Sequence, residues 1–275
     1  MQVFVLEIKY SYPEYTEVLF PVLLQHNHEL VLVDCGYAGS LPLLQKAASL
    51  QGLSLNNLTG ILLTHHDIDH TGGLQELKTA YPNAKVYAPA LEAPYISGEA
   101  KSLRLQQAEA LYDTLPEAQK AGARQFQESL QAVKPVPVDV RLAANEVPAS
   151  WGDVQLIPTP GHMPGHISVY LPKNKTLIAA DALVVENNEM ELANPAFTLN
   201  LEQAITSVQK LQQLQPERII CYHGGIVEEA ISEKLQKLIT KYKPAQPTQQ
   251  PAQSENQELR SPACYAHLKD FREGF

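Results

Sequence analysis

A short run of the chain concentrates side chains that bind metal ions. Residues 64–73 read Thr-His-His-Asp-Ile-Asp-His-Thr-Gly-Gly, and every residue from His65 to His70 except Ile68 is a histidine or an aspartate. Imidazole and carboxylate groups are ligands for zinc, iron and manganese. A charged surface loop is the alternative explanation, but such loops rarely combine so many donors. The run therefore predicts a metal site.

The residues around this run place it at the end of a strand. Residues 60–63 are apolar and predict a buried strand, and residues 74–80 predict a helix. Loops of this kind lie at the carboxyl ends of strands, where open α/β sheets carry their chemistry. His162, Asp181 and His223 also follow apolar runs. Because neighbouring parallel strands end at one edge of a sheet, we expect all these side chains to converge.

This ordered set of residues resembles the motifs of the metallo-β-lactamase fold superfamily of dinuclear metallohydrolases. The set consists of His65, Asp67, Asp69, His70, His162, Asp181 and His223. The resemblance extends from the first predicted strands to about residue 242. It implies an α/β fold of the four-layer αββα sandwich type, with two packed sheets flanked by helices.

The first metal site that the resemblance implies contains an unusual residue. His65, Asp67 and His162 would bind this ion, but the usual pattern has a second histidine where this chain has Asp67. Three interpretations stay open: Asp67 is a ligand, His66 replaces it through a shift of the loop, or the site is weak or empty. If the loop keeps the family's geometry, His66 points away from the ions.

The second metal site follows the usual pattern. By the resemblance, Asp69, His70 and His223 bind this ion, and Asp181 bridges the two ions. Asp69 is also the candidate catalytic residue, which orients the nucleophile and passes a proton to the leaving group. Many zinc β-lactamases carry cysteine at the position of Asp181, so antibiotic hydrolysis is not the expected reaction.

Two divalent metal ions are the cofactors that the resemblance implies, with zinc as the first expectation. The carboxylate of Asp67 lowers the charge of the centre, since three carboxylates against two divalent ions leave a formal charge of +1. A less positive centre acidifies bound water less. It also favours harder ions, so manganese or iron are the alternatives to zinc.

Three further residues are expected to support the ligands rather than bind the ions. Asp34 ends a predicted strand, and a plain Asx turn is its alternative role. His166 begins the strand after His162 and is expected to orient a ligand carboxylate, with direct coordination as the alternative. His66 is the third. Such outer partners fix the orientation and basicity of metal ligands.

The composition excludes several classes of partner. The chain has 275 residues, of which 44% are hydrophobic and 19% charged, and these are globular values. Its formal net charge of −9 argues against a nucleic-acid partner, which needs a basic face. It contains no apolar run of about 18 residues, so no membrane span is expected. Its first residues lack the features of a signal peptide, and we expect a cytoplasmic location.

The pattern along the chain predicts one main domain and two appended segments. Residues 1–243 form the predicted catalytic domain, with a helical insertion at about 91–133 that either covers the site or packs on the outer face of a sheet. Residues 244–258 have the composition of a Pro/Gln-rich linker. The tail, 259–275, regains aromatic residues and is compatible with packing on the domain, with packing on a second copy in a homo-oligomer, or with fraying.

These inferences lead to an expected reaction. A metal-bound hydroxide would attack a small ester, lactone or thioester, and a small molecule is therefore the expected partner. A phosphodiesterase of the same fold is one alternative. A di-iron-type oxidoreductase is another, because a carboxylate at residue 67 resembles the di-iron members of the superfamily.

Overall fold

The computed structural model describes residues 1–143 and 146–242. The predicted linker, 244–258, and the predicted tail, 259–275, lie outside the described residues. Within the described part of the chain, no helix combines the length and the apolar character needed to cross a membrane. The boundaries given above for the domain, linker and tail stay predictions.

The first half of the chain supplies one large sheet and a small ladder. Its strands are β1 (Gln2–Val5), β2 (Ile8–Ser11), β3 (Thr16–Leu19), β4 (Val22–His26), β5 (Glu29–Val33), β6 (Gly60–Leu62), β7 (Lys85–Pro89) and β8 (Val140–Leu142). The large sheet has the order β1-β4-β5-β6-β7-β8. Strands β5 to β8 run parallel, whereas β1, β4 and β5 are antiparallel neighbours. The ladder joins β2 to β3.

The second half repeats this plan with a smaller sheet. Its strands are β9 (Gln155–Pro158), β10 (Ile167–Leu171), β11 (Thr176–Ala180), β12 (Val184–Glu186), β13 (Glu189–Glu191), β14 (Arg218–Cys221) and β15 (Gly225–Val227). The sheet has the order β15-β14-β11-β10-β9, and β11 and β14 run parallel. Strands β12 and β13 form a separate hairpin.

Helices connect the strands and cover the sheets. The α-helices are α1 (Leu41–Leu50), α2 (Ile68–Thr71), α3 (Leu74–Ala80), α4 (Ala93–Ile96), α5 (Leu103–Tyr112), α6 (Glu117–Ala132), α7 (Leu201–Gln213) and α8 (Ile231–Tyr242). Single 3₁₀ turns span Leu55–Asn57, Ala149–Trp151 and Pro172–Asn174.

The two sheets pack face to face, and alternation along each central strand decides which side chains meet. In β5, Val31 lies between the sheets, whereas Leu30 and Leu32 pack with residues of α1 and α3. In β14, Ile220 lies between the sheets, and Cys221 packs with residues of α7 and α8. Strands covered on both faces are apolar throughout, as their sequences are. The layers are helix, sheet, sheet and helix, which confirms the predicted αββα sandwich.

Two short segments complete the strand pattern. The first apolar residues of the chain form two strands, because β1 pairs with β4 whereas β2 pairs with β3. The residues after β11 form the β12–β13 hairpin. Its two turn residues, Asn187 and Asn188, have φ angles of 51° and 63°. Tight two-residue hairpins favour this left-handed conformation, and asparagine tolerates it better than most residues.

The predicted helical insertion packs in both of the expected locations, on the outer face of the large sheet and over the candidate site. Ile96 of α4 belongs to the apolar cluster on the outer face of the large sheet. In contrast, α5 and α6 pack on each other through Leu105 and Leu130, and Ile68 of α2 joins their cluster. Since α2 carries part of the His65–His70 run, α5 and α6 cover the candidate site.

Candidate metal centre

The predicted ligands come together where strands of both sheets end. The His65–His70 run follows β6, Asp181 follows β11 and His223 follows β14, while His162 lies between β9 and β10. At the end of β11 the register shifts, and Ala180 has a φ of 46°. Bulges of this kind redirect the side chains that follow them. The seven residues form two groups of donor atoms, in the combinations that the motifs imply.

The second group consists of Asp69, His70, Asp181 and His223. Nε2 of His223 lies 3.0 Å from Oδ2 of Asp69 and 3.6 Å from Oδ1 of Asp181. Nε2 of His70 lies 3.1 Å from Oδ1 of Asp181 and 3.4 Å from Oδ2 of Asp69. Four donors therefore surround one point.

The first group consists of His65, Asp67 and His162, all of them buried. Oδ2 of Asp67 lies 2.8 Å from Nε2 of His162 and 3.5 Å from Nε2 of His65. Oδ2 of Asp181 lies 3.6 Å from Nε2 of His162. One oxygen of Asp181 thus faces each group, as a bridging ligand requires.

Unpaired buried atoms show that these groups fit metal ions. Nε2 of His65, Nε2 of His70 and Oδ1 of Asp181 are buried and make no hydrogen bond. Buried polar atoms are nearly always satisfied, so such atoms call for a ligand. A set of imidazole nitrogens and carboxylate oxygens suits zinc, manganese or iron. The donor set therefore fits the two divalent ions that the motifs imply.

The charges of the second group favour a bound cation. Burial raises the pKa of Asp69, but His70 and the hydrogen bond from His223 outweigh it and hold that pKa well below its usual range. Conversely, burial lowers the pKa of His223, yet Asp181 and Asp69 raise it to about 9. In the metal-free protein these carboxylates stabilise positive charge, which is also what a metal ion supplies.

Asp34 contacts His70 of the second group and does more than form a local turn. Its Oδ2 accepts a hydrogen bond from Nδ1 of His70 at 2.9 Å and another from Oγ1 of Thr64 at 2.8 Å, and its Oδ1 accepts from the Thr64 amide. Because Nδ1 of His70 donates, Nε2 is left as the ligand atom. Tyr222 adds a hydrogen bond from its hydroxyl to the Asp69 carbonyl, at 2.7 Å.

His166 supports Asp181, but through the backbone and not through the carboxylate as expected. Its Nε2 accepts a hydrogen bond from the Asp181 amide at 3.1 Å, and its Nδ1 donates to Oγ1 of Thr159 at 2.8 Å. Burial and the neighbouring His65 and His162 hold its pKa well below the usual range, so it is neutral. His166 belongs to neither donor group.

His66 points away from both groups, in agreement with the loop geometry that the motifs imply. Its Nδ1 hydrogen-bonds the Glu92 carboxylate, and its Nε2 accepts from the Leu103 amide at 3.2 Å. Glu92 is fully buried and also accepts from the Gly165 amide at 2.7 Å. Both ring nitrogens of His66 are engaged, so the arrangement found is not the one in which His66 replaces Asp67.

Arg104 contacts the predicted ligand Asp67, and the sequence analysis did not predict this contact. Its Nε lies 3.0 Å from Oδ1 of Asp67, and its Nη2 lies 2.6 Å from Oδ2 of Asp67 and 3.2 Å from Nε2 of His162. Burial raises the pKa of Asp67, but Arg104 and His162 outweigh it and hold that pKa well below the usual range. Arg104 stands 37 residues after Asp67, and no local pattern links the two.

A cavity of about 450 Å³ is lined by residues of both groups, Asp69 and His223 among them. Much of the remaining lining is apolar or aromatic: Tyr37, Ile68, Phe126, Val184 and Phe197. The carboxylate residues Glu17 and Glu186 also line it. Among the described residues that line the cavity, Arg104 is the single lysine or arginine, and its guanidinium is already paired with Asp67.

Comparison with known proteins finds relatives along most of the chain. Protein YobT of Bacillus subtilis is 30% identical over 239 residues, which cover 82% of this chain and 92% of that protein. The probable metallo-hydrolase YflN of the same organism is 29% identical, covering 75% of this chain and 80% of YflN. A hydroxyacylglutathione hydrolase of Bdellovibrio bacteriovorus is 27% identical over 72% of this chain but only 59% of its own length.

Solved structures and a family model agree with these relatives. The metallo-beta-lactamase family protein TTHA1429 of Thermus thermophilus matches with a TM-score of 0.67 at 23% identity, covering 87% of this chain and 78% of that one. This likeness shows the fold. The model of the metallo-beta-lactamase superfamily matches residues 20–223, which include all seven candidate ligands. The chain belongs to the metallo-beta-lactamase superfamily.

Proposed function

We propose that the protein is a dinuclear metal-dependent hydrolase of small ester, lactone or thioester substrates. The observation that carries this proposal is the pair of donor groups sharing Asp181 beside a largely apolar cavity. Membership of the superfamily and relatives named as metallo-hydrolase and as hydroxyacylglutathione hydrolase support hydrolysis. In a hydroxyacylglutathione, the bond between the acyl group and glutathione is a thioester.

The proposed ligands divide as the two groups do. His65, Asp67 and His162 would hold one ion, a second set of Asp69, His70 and His223 would hold the other, and Asp181 would contact both. Zinc is the ion proposed from the family, with manganese or iron as alternatives. When bound, such ions supply an acidified water molecule and a Lewis acid for the substrate oxygen.

Asp69 is the proposed catalytic residue. It lines the cavity, and its low pKa keeps the carboxylate ionised at neutral pH, as a proton acceptor must be. In the proposed reaction, Asp69 would orient the attacking water molecule, accept its proton and pass that proton to the leaving group. General acid–base catalysis of this kind contributes about 10²- to 10⁴-fold in rate.

The charges along the cavity favour a substrate without a negative group. Glu17 and Glu186 present carboxylates, and the guanidinium of Arg104 is committed to Asp67. Outside the donor groups and their ions, the charged lining consists of these two carboxylates, so a negative group that a substrate places there costs affinity. The apolar side chains Phe126 and Phe197 suit an alkyl or aryl group instead.

The proposal is tested with a pair of chromogenic esters of equal chain length. After loading with zinc or manganese, kcat/KM is measured for p-nitrophenyl pentanoate and for the p-nitrophenyl monoester of glutaric acid. We expect the neutral ester to be preferred by roughly 10-fold or more. We expect Asp69→Asn to lower kcat by at least about 10²-fold. Asp153→Asn, a change of an exposed aspartate paired with Lys173, is the matched control.

Three outcomes contradict the proposal. Turnover that survives metal chelation or Asp69→Asn would show that the donor groups do not carry the reaction. A preference for bis(p-nitrophenyl) phosphate would favour a phosphodiesterase. Oxygen consumption by iron-loaded protein, without ester hydrolysis, would favour the redox alternative.

A further inference from the structure

Arg104 is a buried cation, and its environment is built to hold it in one position. The residue is 3% exposed. Its Nη1 donates to Oε1 of Gln107 at 2.5 Å and to the carbonyl of Phe197, and its guanidinium lies 5.2 Å from the centroid of the Phe197 ring. With Nε and Nη2 on Asp67, every nitrogen of the guanidinium has a partner.

The contact with Asp67 is specific to arginine. Two parallel N–H···O bonds join the guanidinium to both carboxylate oxygens, which fixes the plane of the carboxylate as well as its charge. Oδ2 of Asp67 is also the oxygen that faces His65 and His162. Arg104 therefore sets the orientation of the atom that is proposed to bind the first ion.

Arg104 also changes the charge of the centre. Two divalent ions with three carboxylates have a formal charge of +1, and Arg104 brings the local total to +2. A neutral histidine at residue 67, without Arg104, gives the same total. The sequence alone favours harder ions because the negative charge of Asp67 makes the centre less positive. Arg104 compensates that charge, so the preference for harder ions no longer follows.

We infer that Asp67 and Arg104 act as one unit that takes the place of a neutral histidine ligand, with Arg104 as a positioning residue. Arg104 orients the ligand carboxylate and restores the positive charge that the carboxylate removes. The inference rests on the proposed metal binding but not on hydrolysis, so it is tested without substrate. A protein that binds two ions and hydrolyses nothing would refute the proposed reaction and leave this inference standing.

The test is a double-mutant cycle of Asp67→His and Arg104→Met. The melting temperature of the metal-free protein, and the zinc bound per chain after dialysis, are measured for each variant. Either single change leaves one buried charge without its partner, and we expect each to lower the melting temperature by roughly 10 °C. Asp67→His alone, with a fixed cation beside the first group, should keep about one zinc ion per chain.

The double variant decides the question. We expect it to regain two zinc ions per chain and most of the lost melting temperature, because a neutral histidine no longer faces a buried cation. Arg104→Met alone should bind manganese more tightly relative to zinc, by roughly 10-fold, since its centre is more negative. A merely structural role of Arg104 would not change this metal preference.

The test has a control variant at an exposed arginine, and one pattern of results would refute the inference. Arg124→Met removes an exposed arginine from α6, where it bonds Tyr112, and should change neither metal content nor melting temperature. If the losses of the two single variants add up in the double variant, the two residues are independent and the inference is wrong. If the single variants do not fold, the soluble yield of the double variant replaces the melting temperature as the measure.

Discussion

The two donor groups differ in what holds them. The second group is supported from the core, where Asp34 fixes His70 and Tyr222 contacts the backbone of Asp69. In the first group, the carboxylate of Asp67 is held by Arg104 from α5, which belongs to the insertion. One site is thus shaped by the ends of strands, and the other depends on a covering segment.

The groups also differ in charge. The second group contains two carboxylates, Asp69 and Asp181, whose ion-pair partners among the described residues are histidines. The first group has one carboxylate of its own, and Arg104 already neutralises it. A cation therefore meets more uncompensated negative charge at the second group.

A zinc titration of the metal-free protein tests the difference between the two groups most directly. We expect two binding steps, with the second group filling first and binding at least ~100-fold more tightly, because one unit of charge at about 4 Å contributes on the order of 4 kcal/mol at an effective dielectric constant of 20. Calorimetry measures both steps. His223→Ala should remove the tight step and His162→Ala the weak one. The expectation is wrong if two ions bind in one step with equal affinity. It is also wrong if His162→Ala removes the tight step and His223→Ala the weak one.

Removal of Asp34 tests whether the core supports the second group alone. Asp34→Ala leaves Nδ1 of His70 and the Thr64 amide without their buried acceptor. We expect the tight step to weaken by about 10- to 100-fold, as is usual when a partner of a metal ligand is lost, while the weak step changes little. Asp153→Ala, at an exposed ion pair with Lys173, is the control. Equal weakening of both steps would show that the core supports both groups.

The smallest expected effect is the pH dependence of the metal-free protein. Asp181 and Asp69 raise the pKa of His223 from 6.5 to about 9. A raised histidine pKa contributes stability that is complete below the unfolded value and is lost as the pH rises through the folded value. We expect the melting temperature to fall by several degrees between pH 6.5 and pH 9.5. His223→Asn should flatten this decline, and a slope unchanged in that variant would refute the assignment.

The sequence predicted most of the site because its evidence is local. Ligand types such as His65 and Asp181 follow apolar strands directly, and the sheet topology brings parallel strand ends together. The sequence did not predict the roles of Arg104 and Glu92, because these residues meet the ligand loop only when the insertion packs on it. A single arginine between two leucines carries no pattern that distinguishes it from a solvent-exposed residue.

The full burial of Glu92 has a practical consequence for redesign. It accepts hydrogen bonds from the His66 ring and from the Gly165 amide, so it joins three separate stretches of chain. Replacement of the insertion by one that lacks Glu92 and Arg104 would leave His66 and Asp67 without these buried partners. A workable graft therefore has to exchange the loop after β6 together with the insertion, as one cassette.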